Sequence, residues 1–185
     1  MAQCVDIRRE RVSASDRFLL DTNVALDVGS PLGPASPQRR PDYSAFIARA
    51  VSAGARLYVS MLSLCEMAHV LEREAYRAHH GQPPASQDEL KRFRRESGVR
   101  EAATARLSNA WQQLTSFAEV LEASVRPDDG TEIITLLRET HLDGYDPLLV
   151  LAARRAGIAS VVTHDSDFAS VRDIIVLTAN RKMLL

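Results

Sequence analysis

Apolar residues along the chain form short runs that alternate with longer stretches of helical spacing. The short runs predict strands at residues 17–20, 57–59, 158–163 and 174–177. The stretches between them carry apolar residues every three or four positions and begin or end at capping residues, which predicts helices. Strands that alternate with helices form parallel sheets with helices on both faces. We therefore predict one α/β domain over residues 17–185.

The middle of the chain is its most helical part. Apolar residues recur at helical spacing from Ser86 to Leu121, after the capping-box sequence Ser86-Gln87-Asp88-Glu89, and Gly98 predicts a break. Together with the end of the preceding helix, this pattern predicts an enlarged helical segment at about residues 72–126. A short extended piece at residues 123–126 predicts a further strand.

Two segments lack the pattern of regular elements. Residues 1–16 are polar and predict an N-terminal extension outside the domain. Residues 29–42 contain four of the eight prolines and predict a loop. Near the other end of the chain the signal is clear, because Asp146 predicts a helix cap, Pro147 the first helical position and Gly157 the helix end.

Composition and charge restrict the possible functions only in part. The formal net charge of −1 and the pI near 6.5 give no overall attraction to a polyanion, so nucleic-acid binding would need local basic patches or bound metal. Two cysteines are too few for a disulfide framework and favour a reducing cytoplasm. We find no signal-peptide pattern and no apolar run long enough to span a membrane, so we expect a cytoplasmic protein.

Acidic side chains occupy the places where predicted strands pass into helices. Asp21 ends the first apolar run, Glu66 lies in the first turn of the helix after the second run, and Asp146 begins a helix. Asp165 and Asp167 follow the strand at 158–163. Because the carboxyl ends of parallel strands meet at one edge of a sheet, we expect these carboxylates to converge. Oxygen ligands of this kind favour Mg²⁺ or Mn²⁺ over zinc.

Each acid taken alone also has a purely structural interpretation. Glu66 could complete a capping box with Ser63, and Asp146 could be only a helix cap. Asp21 is harder to explain in this way, because aspartate is a poor strand residue and here it ends an apolar run. The functional interpretation therefore depends on the acids acting together.

The motifs, in this order, resemble those of the PIN-domain ribonucleases, and among them the VapC-type toxins of bacterial toxin–antitoxin pairs. The resemblance implies an α/β/α sandwich around a short parallel sheet, Mg²⁺ or Mn²⁺ held by clustered acids, and cleavage of RNA. For a toxin it also implies an antitoxin partner and usually a homodimer. The matching segments are Leu19-Leu20-Asp21-Thr22-Asn23-Val24, the step from Ser60 to Glu66, the helix at Asp146, and Thr163-His164-Asp165-Ser166-Asp167-Phe168.

The resemblance assigns roles to residues of this chain position by position. This sequence departs from the family's pattern in three places, namely the N-terminal extension, the long segment at 72–126, and Pro147, where alanine is frequent in the family. The principal acids are Asp21, Glu66 and Asp146, the fourth acid is Asp165, Asp167 is a nearby candidate, and Asn23 and Thr163 are polar residues that orient acids or metal-bound water.

Basic residues and a histidine give further candidates whose roles stay open. Pairs of arginines at Arg39-Arg40 and at Arg92 and Arg95 could contact RNA phosphates or an acidic antitoxin tail, or they could form solvated faces. His164 could serve as a general base or be a surface group at a turn.

Other classes of protein remain as alternatives. A catalytically inactive PIN-like module that binds RNA or protein would keep the same fold. Metal-dependent RNA cleavage would distinguish the ribonuclease from the inactive module. An aspartyl-phosphate phosphohydrolase would favour a second aspartate two positions after Asp21, where Asn23 stands. A dinucleotide-binding domain is poorly supported, because no Gly-x-Gly-x-x-Gly follows a predicted strand.

Overall fold

The sheet at the centre of the molecule has six parallel strands in the order β1-β6-β5-β2-β3-β4. The computed structural model describes residues 1–29, 38–122 and 126–184. The strands are β1 Gln3–Asp6, β2 Arg17–Leu20, β3 Arg56–Ser60, β4 Glu119–Leu121, β5 Ser160–Val162 and β6 Ile175–Thr178. The helices are α1 Thr22–Gly29, α2 Arg40–Ser52, α3 Met61–His80, α4 Gln87–Phe93, α5 Val99–Thr115, α6 Asp129–Glu139 and α7 Asp146–Arg155, with 3₁₀ turns at Ser166–Ser170 and Arg181–Met183.

Alternate side chains of the central strand enter two separate cores. Phe18 and Leu20 of β2 pack on one face with α1, α2, α3 and α5. Leu19 points to the other face and packs with α6 and α7. Each fully buried Leu or Phe contributes roughly 1.5–3 kcal/mol relative to an exposed one. The predicted parallel sheet with helices on both faces, a three-layer α/β/α sandwich, is therefore confirmed.

The N-terminal segment differs from its prediction. Residues 3–6 are not an extension outside the domain, because they form β1 and pair in parallel with β6, with Cys4 beside Val176. Ile7, directly after this strand, is fully buried. An edge strand of four residues is half exposed, so it needs few apolar residues and leaves too short a pattern to recognise.

The helical segment also ends earlier than predicted. Helix α5 stops at Thr115, and residues 119–121, predicted as helical, instead form β4 beside β3. Val120 on this strand is 41% exposed, so the strand carries little hydrophobic signal. The predicted strand at residues 123–126 falls mostly outside the described residues. The predicted break at Gly98 is confirmed by its left-handed backbone, with φ of 75° between α4 and α5.

The predicted loop at residues 29–42 is shorter at both ends. Helix α1 continues to Gly29 and α2 begins at Arg40, while residues 30–37 lie outside the described part of the chain. Gly29 packs so closely on α5 that an added Cβ would lie 2.7 Å from Leu114 Cγ. Among the helices of the described residues, none is both long and apolar enough to cross a membrane.

Candidate active site at the carboxyl edge of the sheet

Asp21 lies at the carboxyl end of the central strand, where β2 has a neighbour on each side. Leu20 pairs with Val162 of β5 and with Val59 of β3. The next residue along β2 is therefore Asp21, beside Thr163, and only 4% of its surface is exposed. Because all three strands run in parallel, the residues that follow them lie at the same edge of the sheet.

Three donors hold the Asp21 carboxylate in one orientation. The Thr22 backbone N–H donates to Oδ1 at 2.6 Å, and Thr163 Oγ1 donates to Oδ2 at 2.6 Å. Asn23 Nδ2 donates to the same Oδ2. Thr163 Oγ1 also accepts from the backbone N–H of Asp165 at 2.9 Å. Asn23 and Thr163, which the sequence suggested as supporting residues, thus contact Asp21 directly.

Glu66 reaches the same edge from helix α3. Its carboxylate accepts a hydrogen bond from Thr22 Oγ1, the side chain next to Asp21. The capping-box interpretation with Ser63 does not hold, because α3 begins at Met61 and Ser60 is its cap, accepting from the backbone N–H of Leu62 at 3.1 Å. Glu66 lies beyond the first turn and does not cap the helix.

Asp146 begins α7, and its carboxylate has no capping role. The cap position is Tyr145, so the predicted cap moves by one residue. Among the described residues, no hydrogen bond to the Asp146 carboxylate is found. The side chain is half-buried, and this burial together with the charges of Asp21, Glu66 and Asp165 raises its pKa to about 8. The four predicted acids therefore form one cluster, in which the charges of the other three act on Asp146.

Burial also raises the pKa of Asp21, to about 7. The hydrogen bonds from Thr163 and Thr22 act in the opposite direction, and the charges of Glu66 and Asp165 raise the pKa further. A carboxylate that is desolvated and surrounded by like charges favours its protonated form. Among the described residues, no cationic side chain is one of the main influences on the pKa of Asp21 or of Asp146.

Asp165 and the neighbouring Asp167 differ in their contacts. Asp165 Oδ1 accepts from the backbone N–H of Asp167 at 2.9 Å and so caps the 3₁₀ turn Ser166–Ser170. Asp165 also acts electrostatically on Asp21 and Asp146. The contacts of Asp167 in the described structure are made by its backbone. Asp165 therefore belongs to the cluster. Asp167 lies next to it in the turn, with contacts through its backbone.

A buried tyrosine that the sequence did not single out supports the turn after β5. Tyr43 of α2 is fully buried, and its hydroxyl donates to the Thr163 carbonyl at 3.1 Å and lies 3.0 Å from His164 Nδ1. The same hydroxyl accepts from the backbone N–H of Ala179 at 3.2 Å. Its position on the apolar face of α2 was a usable signal, because a buried tyrosine hydroxyl needs a partner.

His164 carries little positive charge near neutral pH. Burial and the nearby Arg39 lower its pKa below the ordinary value for histidine. The backbone N–H of His164 donates to Asn23 Oδ1 at 3.0 Å, which joins the turn after β5 to the turn after β2. The residue is partly exposed beside the acidic cluster and is fixed through its backbone and Nδ1.

Arg39 has a structural partner that the sequence did not reveal. Asp27 of α1 is 1% exposed, and Arg39 Nε approaches Asp27 Oδ2 at 2.6 Å. Arg39 Nη2 also donates to Asp27 Oδ1 at 3.2 Å. Burial nevertheless raises the pKa of Asp27, and Arg39 opposes this effect. An acid on the apolar face of α1 was the available signal, since a buried carboxylate needs a cation nearby.

The predicted RNA-binding arginines do not share one surface. Arg92 lies in α4, Arg95 follows this helix, and α4 packs through Phe93 on Tyr76 of α3. Tyr76 stands ten residues after Glu66, which corresponds to about 15 Å along the helix. Arg39 and Arg40, in contrast, lie at the start of α2 near the turn after β5. The structure therefore separates the two arginine pairs.

The donor chemistry of the cluster suits a hard divalent cation. All four side chains offer carboxylate oxygens, and neighbouring hydroxyl and amide groups fix two of these side chains. Within residues 1–29, 38–122 and 126–184, however, no three His, Cys, Asp or Glu side chains are grouped closely enough to form a ready set of metal ligands. The residues therefore fit a divalent cation by their ligand type and by their position at one edge of the sheet.

An open parallel sheet with acids at its carboxyl edge defines an α/β domain with a polyacidic site. The family model of the PIN domain matches residues 18–174, and the chain belongs to this family. PIN domains are in general nucleases. The family match covers all four clustered acids.

The fold is also similar to that of a solved structure. One chain in the crystal structure of VapBC2 from Rickettsia felis, bound to a DNA fragment from their promoter, matches with a TM-score of 0.53. The identity is 15%, and the match covers 88% of this chain and 98% of that chain. At this identity the likeness concerns the fold. No curated protein sequence matches the chain significantly.

Proposed function

We propose that the protein is a Mg²⁺- or Mn²⁺-dependent endoribonuclease that hydrolyses RNA phosphodiester bonds. The observation that carries the proposal is the convergence of Asp21, Glu66, Asp146 and Asp165 from four separate segments at one edge of the sheet. Fold stability does not require four acids in mutual repulsion, so the cluster favours a functional role. Membership of the PIN domain family supports the same reaction class.

The four acids would share the work of binding the metal. A divalent cation bound there would activate water and stabilise the charge on the attacking and leaving oxygens. Thr163 and Asn23 hold the Asp21 carboxylate in a fixed orientation, and Thr22 does the same for Glu66. Asp146 has no hydrogen-bond donor among the described residues, so its oxygens remain available.

A cleavage assay with purified protein tests this function. A fluorescein-labelled RNA should be cut in Mg²⁺ or Mn²⁺ and remain intact in EDTA. Asp21→Asn should abolish cleavage, because it removes a ligand charge while keeping the shape of the side chain. Asp88→Asn is the matched control, since Asp88 lies exposed on α4 and its ion pair among the described residues is with Lys91. Full cleavage in EDTA would contradict the proposal.

We also propose that the nuclease is the toxin of a toxin–antitoxin pair in the cytoplasm. The likeness of fold to a chain of the VapBC2 structure supports this assignment. A short antitoxin would bind across the acidic edge and suppress cleavage, and the toxin would form a homodimer. Co-expression with the neighbouring reading frame, followed by affinity purification and light scattering, tests both partners. Recovery of only free protein would count against the toxin role.

A second candidate is a catalytically inactive PIN-like module that binds RNA or protein. It is favoured by one observation, the lack of a ready three-residue metal site among the described residues. Titration with Mn²⁺ separates the two functions, because the nuclease should bind the metal at Asp21 and the inactive module should not. Loss of Mn²⁺ binding in Asp21→Asn, with cleavage by the wild type, would exclude the inactive module.

A further inference from the structure

A polar cavity adjoins the acidic cluster on the side toward β1. Its volume is about 350 Å³, and its lining includes three arginines, one histidine and one carboxylate. These residues are Arg8, Arg39, Arg181, His164 and Asp42. The cavity therefore gathers several guanidinium groups in a chain whose overall charge is close to zero.

The cavity and the acids share the carboxyl edge of the sheet. Arg8 lies two residues after β1, Arg181 three residues after β6, and His164 two residues after β5. Neighbouring strands are about 4.8 Å apart, so the ends of β5 and β1 are separated by about 10 Å across this edge. The edge thus has a basic half over β1 and β6 and an acidic half that extends over β5, β2 and β3.

Hydrogen bonds join the two halves of the edge. Asn180 Nδ2, next to Arg181, donates to the His164 carbonyl at 3.0 Å. The backbone N–H of His164 donates to Asn23 Oδ1, and Asn23 in turn contacts Asp21. The position of Arg181 is therefore set relative to the acidic cluster through one chain of contacts.

The guanidinium groups of the cavity differ in how far carboxylates neutralise them. Arg39 is held by the buried Asp27. Arg8 contacts Asp6 at 2.7 Å and Asp42 at 3.7 Å. Arg181 is exposed, and among the described residues it forms no salt bridge. Two arginines are thus fixed in place by acids, and the third contributes a charge that no carboxylate of the described residues neutralises.

We propose that this cavity binds a backbone phosphate of the RNA strand that the acidic cluster cleaves. The inference rests on the proposed ribonuclease function. An acidic site repels a polyanion, and a nearby basic cavity supplies local attraction that the net charge of −1 does not give. A protein segment that covers the acids would carry positive charge, which these arginines would repel. RNA is therefore the favoured occupant.

RNA binding without cleavage tests the cavity directly. The full-length protein is titrated in EDTA against a fluorescein-labelled single-stranded RNA, and anisotropy is measured at several salt concentrations. Arg181→Gln should raise Kd about five-fold. The slope of log K against log salt should become shallower by about 0.7, the value for one phosphate contact on a single strand. Arg181→Lys should keep most of the binding, because the charge is retained.

Arg172→Gln is the matched control. Arg172 is exposed and lies three residues before β6, whereas Arg181 lies three residues after it. Both substitutions remove one charge, but Arg172 is at the opposite edge of the sheet. An unchanged Kd and salt slope in Arg181→Gln, or an equal loss in Arg172→Gln, would overturn the phosphate site. A loss confined to binding of the protein from the neighbouring reading frame would also overturn it.

Cleavage kinetics in Mn²⁺ separate this inference from the proposed function. If both are correct, Arg181→Gln should raise KM and leave kcat unchanged. Cleavage with an unaltered KM would overturn the phosphate site alone. RNA binding that depends on Arg181, without cleavage by the wild type, would overturn the ribonuclease function and retain the phosphate site.

Discussion

Replacing Asp146 with asparagine should stabilise the metal-free protein and abolish its activity. Asparagine has the shape of the protonated acid but carries no charge to be desolvated or repelled. Because Tyr145 occupies the cap position of α7, the substitution removes no capping hydrogen bond. Opposite signs for stability and activity are typical of a residue kept for function.

The size of the effect follows from the pKa of Asp146. The folded pKa of about 8 exceeds the ordinary 3.8, so the folded state binds more protons than the unfolded state between these values. At pH 7 the upper bound of the lost stability is about 4 kcal/mol. Water screens a half-buried group, and a charge at a helix start contributes about 0.5 kcal/mol. We therefore expect a net gain of about 1–2 kcal/mol, or about 3–6 °C in Tm.

Thermal unfolding followed by circular dichroism in EDTA measures this gain. The difference in Tm between Asp146→Asn and wild type should be small at pH 5, larger at pH 7, and constant above about pH 8, where the loss of stability is complete. Added Mn²⁺ should raise the Tm of the wild type more than that of the variant. Asp88→Asn should show no such pattern. A variant that melts below wild type in EDTA yet still cleaves RNA would refute the reasoning and leave Asp146 a structural role.

Three further predictions concern the site and its support. Tyr43→Phe should weaken Mn²⁺ binding and cleavage several-fold, because it removes the hydroxyl that holds the turn after β5. The control Tyr76→Phe, on the far part of α3, should change neither. Isothermal titration measures the Mn²⁺ affinity of both variants. Gly29→Ala should destabilise by about 1–3 kcal/mol in urea unfolding, because its Cβ would overlap α5, whereas Gly130→Ala has open space and should be neutral or stabilising. Because the pKa of Asp21 is about 7, Mn²⁺ affinity should rise with pH from 6 to 8.

Local signals in the sequence identified most elements of the fold and the acids of the cluster. The apolar run before Asp21 and the helix start at Asp146 depend on residues within one or two turns of each other. Left-handed glycines, such as Gly98, mark helix boundaries by backbone conformation alone. The topology of parallel strands then required the residues after the strands to meet at one edge.

Elements with weak local patterns were not predictable in this way. Residues 3–6 and 119–121 are edge strands that pair with partners far along the chain, and their exposed sides contain few apolar residues. Their structure is decided by hydrogen bonds to a sheet edge that already exists. Propensity within the segment does not contain that information.

The fine structure of the site was decided by tertiary contacts. Tyr43 holds a turn that lies 120 residues later in the chain, and Thr163 reaches Asp21 across 142 positions. Asp27 and Arg39 form their ion pair only because α1 and α2 pack together. The sequence alone determined which acids end the strands, since that is local chemistry. Only the tertiary structure determined which side chains orient or neutralise each charge and which charges stay unbalanced. Burial and distance exist only in the folded chain.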